Sequence, residues 1–265
     1  MLSEIPPVSK ARLKLYGKLH QKKHRDAEGL FLAEGFRTVH ELLDRLPDGG
    51  MLHALLFREG EPVAGEFLRD LPGKGFTLTE KECRQLSQTV TPSGVFGVFL
   101  QQRPAVFSPE RVVGRSSLVA LDDVQDPGNV GTILRTAAWF GVDALVCGSG
   151  TADRYNAKAV RSSAGSIYAL SHYSVDSLES ELRRLAACGY TIAASSLEGR
   201  DFREFGELPD KVVLVVGNEA NGVAPEIQAL SHLLLKIPHA GRTPMVESLN
   251  AAVSAGILME RLVLR

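Results

Sequence analysis

Cysteine is scarce in this sequence, and the placement of the three cysteines excludes two kinds of stabilised domain. Cys83, Cys147 and Cys188 are odd in number and far apart, and no two of them form a Cys-x-x-Cys pair. A disulfide framework or a cysteine zinc site needs paired or closely spaced cysteines. The seven histidines show no metal-ligand spacing either. We therefore predict buried, reduced thiols and no bound metal.

Long apolar runs and an excess of charge are also missing. No run reaches the length that spans a bilayer, and the first residues lack the apolar segment of a secretory signal. We therefore expect a cytoplasmic protein that has no membrane partner. The net charge is −1, so any contact with nucleic acid requires a local basic patch.

Such a patch is present near the start of the chain. Residues 10–25 contain seven lysines or arginines and no acidic residue. Leu13, Tyr16 and Leu19 follow helical spacing and are candidates for a core-facing side. The basic side is open to two interpretations, a solvated helix face or a surface that contacts RNA phosphates. The candidate RNA-binding residues are Lys10, Lys14, Lys18, Lys22, Lys23 and Arg25, with Arg161 as a further candidate.

The remaining pattern predicts two α/β domains. The length of 265 residues and a hydrophobic content of 44% suit two globular cores. We expect a smaller domain over residues 1–103, a proline-containing linker over 104–114, and a second domain over 115–265. In the second domain apolar strands at 117–124, 143–148, 190–196, 211–217 and 233–238 are separated by helix patterns. This alternation predicts a parallel sheet with helices on both faces.

Polar residues follow three of these strands. Asn129 lies at a plausible helix N-cap after the first strand, and Glu219 follows the most apolar strand. Ser248 and Asn250 lie where the last helix begins, and one of them is enough to cap that helix. Ligands of such sheets bind beyond the carboxyl ends of the strands, so we expect these side chains to share one site. Arg135 interrupts an apolar helix run and is either part of that site or an arginine that reaches solvent.

A dinucleotide site does not fit the first of these turns. The turn contains only Gly128 and Gly131, whereas the dinucleotide fingerprint places its first glycines within the turn itself. Asp126 stands where it would repel a pyrophosphate. Trp139, in the helix that follows, is interpreted as a core residue.

Three segments together resemble the motifs of the SpoU (TrmH-like) ribose 2′-O-methyltransferases of the SPOUT class. They are, in chain order, DDVQDPGNVGTILRTAAWFG, VVLVVGNEANGVAPEI and IPHAGRTPMVESLNAAVSAGI. The first half of the chain is similar to the small L30e-like RNA-binding domain that often precedes this catalytic domain. This second similarity is carried by KLHQKKHRDAEGLFLAEGFRTVHELL.

The resemblance implies S-adenosylmethionine as methyl donor and an RNA ribose 2′-hydroxyl as acceptor. It also implies a C-terminal trefoil knot and a homodimer with the active site at the subunit interface. The N-terminal domain favours ribosomal RNA of the 23S type over transfer RNA. Matched by position, the cofactor-binding residues are Gly217, Ile237 and Leu249, and the catalytic residues are Asn129, Arg135, Glu219, Ser248 and Asn250.

One departure and three alternatives accompany this assignment. The loop at 238–246 is longer than in the family's short forms, which affects the contacts expected of that loop but not the reaction class. The alternatives are a transfer RNA ribose methyltransferase, a SPOUT enzyme that methylates a base nitrogen, and a non-catalytic RNA-binding protein with a methylase fold.

Overall fold

The computed structural model describes residues 5–46, 50–64, 67, 73–102, 107–206, 209–239 and 246–263. The chain divides into two compact units. The first contains Met1–Gln102 together with Asp153–Tyr168, and the second contains Arg103–Ala152 and Ala169–Arg265. Among the described residues, no helix combines the length and the apolar character needed to cross a membrane.

The first unit is built on a mixed four-stranded sheet in the order β1-β4-β2-β3. Strands β1 and β2 pair antiparallel with β4, and β3 pairs parallel with β2. The elements of this unit are α1 (Lys10–Lys18), α2 (Lys22–Glu28), β1 (Leu30–Glu34), α3 (Phe36–Leu43), β2 (Leu52–Arg58), β3 (Gly75–Leu78), α4 (Glu80–Leu86), β4 (Val95–Leu100) and α6 (Ala157–Ser162).

Local signals explain where the helices of this unit begin. Ser9 accepts a hydrogen bond from the Arg12 amide at the start of α1. Thr79 and Glu82 form a reciprocal capping box at the start of α4. Tyr16 and Leu19 are fully buried, as their spacing predicts, because this side of α1 packs against the core. The basic residues of α1 are consequently directed to solvent.

Residues 153–168 pack into the first unit although they follow residues 103–152 of the second unit in the chain. The Arg25 guanidinium donates to the Asp153 carboxylate, and the Phe31 ring lies 4.9 Å from the Tyr155 ring, centroid to centroid. A helix pattern over 156–170 is present in the sequence, but α6 ends at Ser162. The reason lies at the next turn, where Ala164 adopts a φ of 47° and leaves the helical conformation.

The second unit contains a six-stranded sheet in which every pair is parallel, in the order β10-β8-β9-β5-β6-β7. Its strands are β5 (Ser116–Leu121), β6 (Ala144–Cys147), β7 (Ser171–Ser174), β8 (Thr191–Asp201), β9 (Lys211–Val216) and β10 (Leu233–Lys236). Its helices are α5 (Pro127–Phe140), α7 (Leu178–Ala187), α8 (Pro225–Leu230) and α9 (Ala251–Val263). The predicted parallel sheet is confirmed, and β7 is an edge strand that the apolar pattern missed because its residues are polar.

Helices cover both faces of this sheet. The even-numbered residues of β5, such as Leu118 and Ala120, share a buried cluster with α7 and α8. The opposite face contacts α9, which packs on β9 and on α5. Because side chains alternate along each strand, both faces of the central strands need apolar residues, which explains the nearly continuous apolar runs of β5 and β9.

Candidate functional site

Two of the three motif loops meet because their strands are neighbours. Strands β5 and β9 pair in register from Ser116 with Lys211 to Leu121 with Val216, so both strands end at the same level. From β5 the chain adds β6 and β7 on one side of β5, and it later adds β8, β9 and β10 on the other side. The direction in which strands are added therefore changes between β5 and β9. Crevices at such positions bind ligands in open α/β sheets.

The loop after β9 folds back on itself tightly. The backbones of Asn218 and Gly222 exchange two hydrogen bonds of 3.0 and 2.9 Å, and Gly222 has a φ of 70°. A Cβ atom on Gly217 would lie 2.2 Å from the backbone nitrogen of Val223. Glycine is therefore required at 217 by the loop's own backbone.

Glu219 crosses from this loop to the start of α5. Its carboxylate accepts hydrogen bonds from the Asn129 side chain at 2.8 Å and from the backbone amides of Gln125 and Asp126 at 3.2 and 3.3 Å. Burial raises the pKa of Glu219, but the hydrogen bonds from Asn129 and the backbone outweigh it and hold the pKa below its ordinary value. The carboxylate is consequently held in its ionised form.

Asn129 connects all three motifs. Its Nδ2 donates to Glu219, and its Oδ1 accepts a hydrogen bond of 2.9 Å from Asn250 Nδ2. Asn129 was expected as the N-cap of α5, but Asp126 caps that helix by accepting from the Gly128 amide at 2.7 Å. The Asn129 side chain is therefore available to join the loops after β9 and β10.

The final helix is capped by Asn250. Its Oδ1 accepts from the backbone amides of Ala252 and Val253 at 2.9 and 3.2 Å. Among the described residues, Ser248 makes no hydrogen bond and is exposed. This confirms the expectation that one of the two polar residues caps the helix, and the assignment of Ser248 to a ligand stays a prediction.

A cavity of about 540 Å³ opens beside these loops, within the size range of small-molecule sites. It brings together five residues singled out from the sequence, namely Gly217, Glu219, Ile237, Ser248 and Leu249. Asn129 and Asn250 do not line the cavity but are joined to Glu219 by the hydrogen bonds described above. Six residues of the predicted loop, 240–245, lie outside the described part of the chain.

One wall of the cavity was not anticipated. Residues 195–198 line it, and they belong to a stretch of β8 that leaves the edge strand. Leu234 of β10 pairs with Ala194, but the next residue, Leu235, pairs with Arg200. The apolar pattern of β8 predicts a strand and carries no signal for this register shift, which depends on the partner strand.

Arg135 and Trp139 lie on the exposed side of α5. Arg135 is exposed, is not among the cavity-lining residues, and makes no hydrogen bond or ion pair within the described ranges. Trp139 was expected in the core but is 85% exposed. It follows Arg135 by four residues and therefore shares its side of the helix. The buried side is formed by Val130, Ile133, Leu134 and Ala137.

The candidate RNA-binding residues of the first unit divide into an exposed group and one buried residue. Lys10, Lys14, Lys18, Lys22, Lys23 and Arg161 are exposed. Arg25 is only 4% exposed, and its guanidinium donates to Asp153 and to the backbone carbonyls of Leu19 and His20. The expectation that Arg25 contacts RNA is therefore wrong, because its donors are already engaged inside the unit.

Two solved structures that superpose on this chain are methyltransferases. The chain superposes on the SpoU methyltransferase AviRb of Streptomyces viridochromogenes, crystallised with AdoMet, with a TM-score of 0.81 and 26% identity, covering 97% of this chain and 98% of that one. An AdoMet-bound rRNA methyltransferase of Sinorhizobium meliloti gives a TM-score of 0.80 and 29% identity, covering 97% of this chain and 96% of that chain. The fold is thus that of the SPOUT methyltransferases.

The sequence comparisons identify the family. The family model of the SpoU rRNA Methylase family matches residues 116–260, and that of the MRM3-like substrate binding domain matches residues 10–97. The chain belongs to the SpoU rRNA methylase family, which confirms the resemblance found in the motifs. It is 30% identical over 266 residues to the 23S rRNA (guanosine(2553)-2′-O)-methyltransferase RlmP of Bacillus subtilis, covering 98% of this chain and 99% of RlmP.

Proposed function

We propose that this protein methylates a ribose 2′-hydroxyl of ribosomal RNA with S-adenosylmethionine as methyl donor, and that it works in the cytoplasm. The observation that carries the proposal is the hydrogen-bonded series Asn250–Asn129–Glu219 beside the cavity. Two adjacent parallel strands and a returning C-terminal helix are brought together there. A decayed, non-catalytic fold has no need to keep this polar series beside an open cavity.

The chemistry of the cavity lining suits the donor. Leu197, Leu235 and Leu258 provide apolar surface, and loop 217–223 provides backbone polar groups. Among the lining residues that the structure describes, there are three glutamates and no lysine, arginine or histidine. This charge balance suits a ligand with a sulfonium and an ammonium group. We assign Gly217, Ile237 and Leu249 to the binding of the donor, which supplies the activated methyl group.

The roles of the polar residues follow from their contacts. Glu219 fixes Asn129, and Asn129 in turn fixes Asn250 at the start of α9. Ser248 is left to orient the ribose hydroxyl or the donor. A guanidinium stays protonated in proteins and is a poor base, so we assign Arg135 to binding the hydroxyl and its neighbouring phosphate. There it stabilises the negative charge that develops on the oxygen, while a phosphate or water takes the proton.

We propose that Arg135 of one subunit and the cavity of another meet in a homodimer. The exposed stripe of α5, made by Thr132, Arg135 and Trp139, includes a large apolar side chain that is 85% exposed. Val253 of α9, the helix packed on α5, is 51% exposed. We propose that this face meets a second copy of the chain and that Arg135 serves the cavity of that copy.

Subunit mixing tests this arrangement. Arg135→Ala and Gly217→Ala are each expected to be nearly inactive, one for lack of the guanidinium and one for a damaged cavity. When the two variants are unfolded together and refolded in equal amounts, we expect about a quarter of the wild-type activity, because half of the dimers then contain one complete site. If the mixture recovers no activity, Arg135 serves the cavity of its own subunit and the proposed arrangement is wrong.

The first unit is proposed as the RNA-binding part. The family-model matches over residues 10–97 and 116–260 support the predicted limits of residues 1–103 for this domain and 115–265 for the methyltransferase domain. Residues 153–168 are the exception, because they belong to the first compact unit. We propose that the exposed lysines of α1 and α2 contact RNA phosphates. The knot implied by the family depends on the path of residues 240–245, which are not described, and it remains a prediction.

The direct test of the function is mapping of 2′-O-methyl groups in ribosomal and transfer RNA from cells with and without this protein. We expect the loss of one methyl group from ribosomal RNA. Purified protein with labelled donor and the unmethylated RNA is expected to restore that group, and Arg135→Ala is expected to abolish the transfer while it retains donor binding. Loss of a methyl group from transfer RNA alone would redirect the assignment of the substrate.

A further inference from the structure

We propose that Asp123 is a positioning residue for the cofactor cavity, and that it acts by fixing Asn218 and thereby the loop 218–222. The inference rests on the proposed function for the identity of the ligand. Asp123 lies in the first motif segment, but it does not line the cavity and is not among the residues given a role above. Asn218 and the four residues after it all line the cavity, so a displacement of this loop changes the shape of the site.

The Asn218 amide joins the loops that follow β5 and β9. Its Nδ2 donates to the Asp123 carboxylate at 3.0 Å and to the Asp123 backbone carbonyl at 2.9 Å. Its Oδ1 accepts from the backbone amides of Ala220 and Asn221 at 2.8 and 3.1 Å. Both hydrogens of Asn218 Nδ2 are therefore bonded to Asp123, and Asn218 Oδ1 holds the backbone of the cavity loop.

Asp123 itself is held in an unusual backbone conformation. Its φ is 54°, in the left-handed region that aspartate and asparagine enter more readily than most residues. Gln125 Nε2 donates to both carboxylate oxygens at 3.2 and 3.1 Å. A Cβ atom on Gly150 would lie 2.1 Å from Asp123 Oδ1, so the carboxylate lies directly against the glycine backbone. The carboxylate is consequently held between Gln125, Asn218 and the backbone of Gly150.

The neighbouring contacts hold the ends of the loop but not its middle. Asp122 Oδ2 accepts from the Ala224 amide at 2.7 Å, beyond the end of the loop. Glu219 is held from the side of α5. Between these points Ala220 and Asn221 are fixed through the Asn218 side chain, apart from the backbone bonds between Asn218 and Gly222. We infer that the Asp123 carboxylate sets the course of this middle section.

Two substitutions of Asp123 distinguish the effect of its carboxylate from the effect of its backbone conformation. Asp123→Gly accepts a positive φ without strain but removes the side-chain acceptor. Asp123→Asn tolerates the same φ and keeps an oxygen that can accept from Asn218. By titration calorimetry we expect Asp123→Gly to raise the Kd for S-adenosylmethionine about tenfold, the effect of losing a hydrogen bond to a charged group. Asp123→Asn is expected to stay within about twofold of the wild type, because the neutral acceptor retains most of the hydrogen bond.

Readouts other than affinity distinguish positioning from general stability. With Asp123→Gly we expect the KM for the donor to rise, with kcat at saturating donor and the KM for RNA unchanged. Amide hydrogen exchange at Ala220 and Asn221 is expected to accelerate while the amides of α7 keep their protection. Asp176→Gly removes an exposed carboxylate elsewhere in the same unit and is the matched control, expected to leave the Kd unchanged.

A double-mutant cycle tests whether the effect passes through Asn218. In the Asn218→Ala background, Asp123→Gly is expected to add less than about twofold to the Kd, because the partner is already missing. An unchanged Kd for Asp123→Gly, or full additivity with Asn218→Ala, would overturn the inference while leaving the proposed function intact. Wild-type protein that binds no S-adenosylmethionine would overturn both.

Discussion

The side chains of Asn129 and Asn250 are 121 residues apart in the chain and are joined by a hydrogen bond of 2.9 Å. Asn129 is 8% exposed, and its other amide atom is bonded to Glu219. Each of the three motifs thus contributes one side chain to a single series. The series makes the first turn of α5 the common support of the loops that follow β9 and β10.

Replacement of Asn129 tests this common support. Asn129→Ala removes both hydrogen bonds and leaves the Asn250 amide and the Glu219 carboxylate each without one partner. We expect a loss of about 1–3 kcal/mol in the free energy of unfolding and at least about a tenfold loss of kcat/KM. Denaturant unfolding and methyl incorporation measure the two effects. Asn129→Asp is expected to be worse than Asn129→Ala at neutral pH, because it places a second carboxylate against Glu219.

Gly217→Ala tests the close approach of the loop after β9. The added Cβ would lie 2.2 Å from backbone atoms of Gly222 and Val223, which cannot turn away as a side chain would. We expect a destabilisation of about 1–3 kcal/mol together with a marked loss of donor affinity. The matched control is Gly206→Ala, because no atom lies within 4 Å of a Cβ built on Gly206. Equal affinity in the two variants would contradict the role given to Gly217.

Arg25→Ala is predicted to affect stability rather than RNA contact. The Asp153 carboxylate is 14% exposed and would lose its cationic partner, so we expect about 3–5 kcal/mol of destabilisation. Arg37→Ala is the control, since Arg37 is 83% exposed and its pair with Glu41 is expected to contribute less than about 0.5 kcal/mol. Chemical unfolding of both variants checks the difference. Wild-type stability in Arg25→Ala would show that the buried pair contributes nothing to the unit.

The exposed lysines of the first unit are predicted to carry the salt dependence of RNA binding. The triple variant Lys18→Ala, Lys22→Ala and Lys23→Ala removes three cations, so the slope of log K against log salt is expected to become shallower by about 2. Filter binding over a range of salt concentrations measures the slope. Arg183→Ala removes an exposed cation of the second unit and is expected to leave the slope unchanged. An identical slope in the triple variant would place the phosphate contacts elsewhere.

The low pKa of Glu219 predicts the direction of an acid effect. Burial raises the pKa of Glu219, but the hydrogen bonds from Asn129 and the backbone lower it by more. The pKa therefore lies below its ordinary value of 4.5. The group therefore contributes stability that is present above its unfolded pKa and is lost as the pH falls through the lower folded pKa. As the pH falls from neutral through the ordinary pKa of 4.5 and then through the folded pKa, Glu219→Gln is expected to lose less of its unfolding free energy than the wild type. If the unfolding free energy of the two proteins falls equally with decreasing pH, this prediction is wrong.

Four polar motif residues were singled out from the sequence because their positions obey one rule, whereas the cofactor-binding residues came from the resemblance to the family. Each of the four follows a strand with an apolar run, and parallel strands end at a common edge, so Glu219 and Asn129 could be placed together before any coordinates. The partners within that group could not be derived. Asp126 and Asn129 are both good capping residues three positions apart, and only the path of the preceding loop decides that Asp126 caps α5.

Exposure was the property least accessible from the sequence. Trp139 and Arg25 were assigned by residue type, the aromatic to the core and the cation to solvent, and both assignments were reversed. Trp139 lies on the opposite side of α5 from Ile133 and Leu134, and nothing in its own unit covers it among the described residues. Arg25 is buried because Asp153, 128 residues later in the chain, lies against it.

The class of fold and the polar residues after the strands could be read from the amino-acid order, because apolar periodicity and the positions of polar residues after strands are local properties. The family followed from the resemblance of three motifs, which are also local. Which atoms are joined depended on the folded chain. The link from Asn250 through Asn129 to Glu219, the departure of β8 from β10 and the contact of Asp123 with Gly150 all depend on segments distant in the chain. Such contacts are set by how the strands order and pack, and that order is a property of the whole domain.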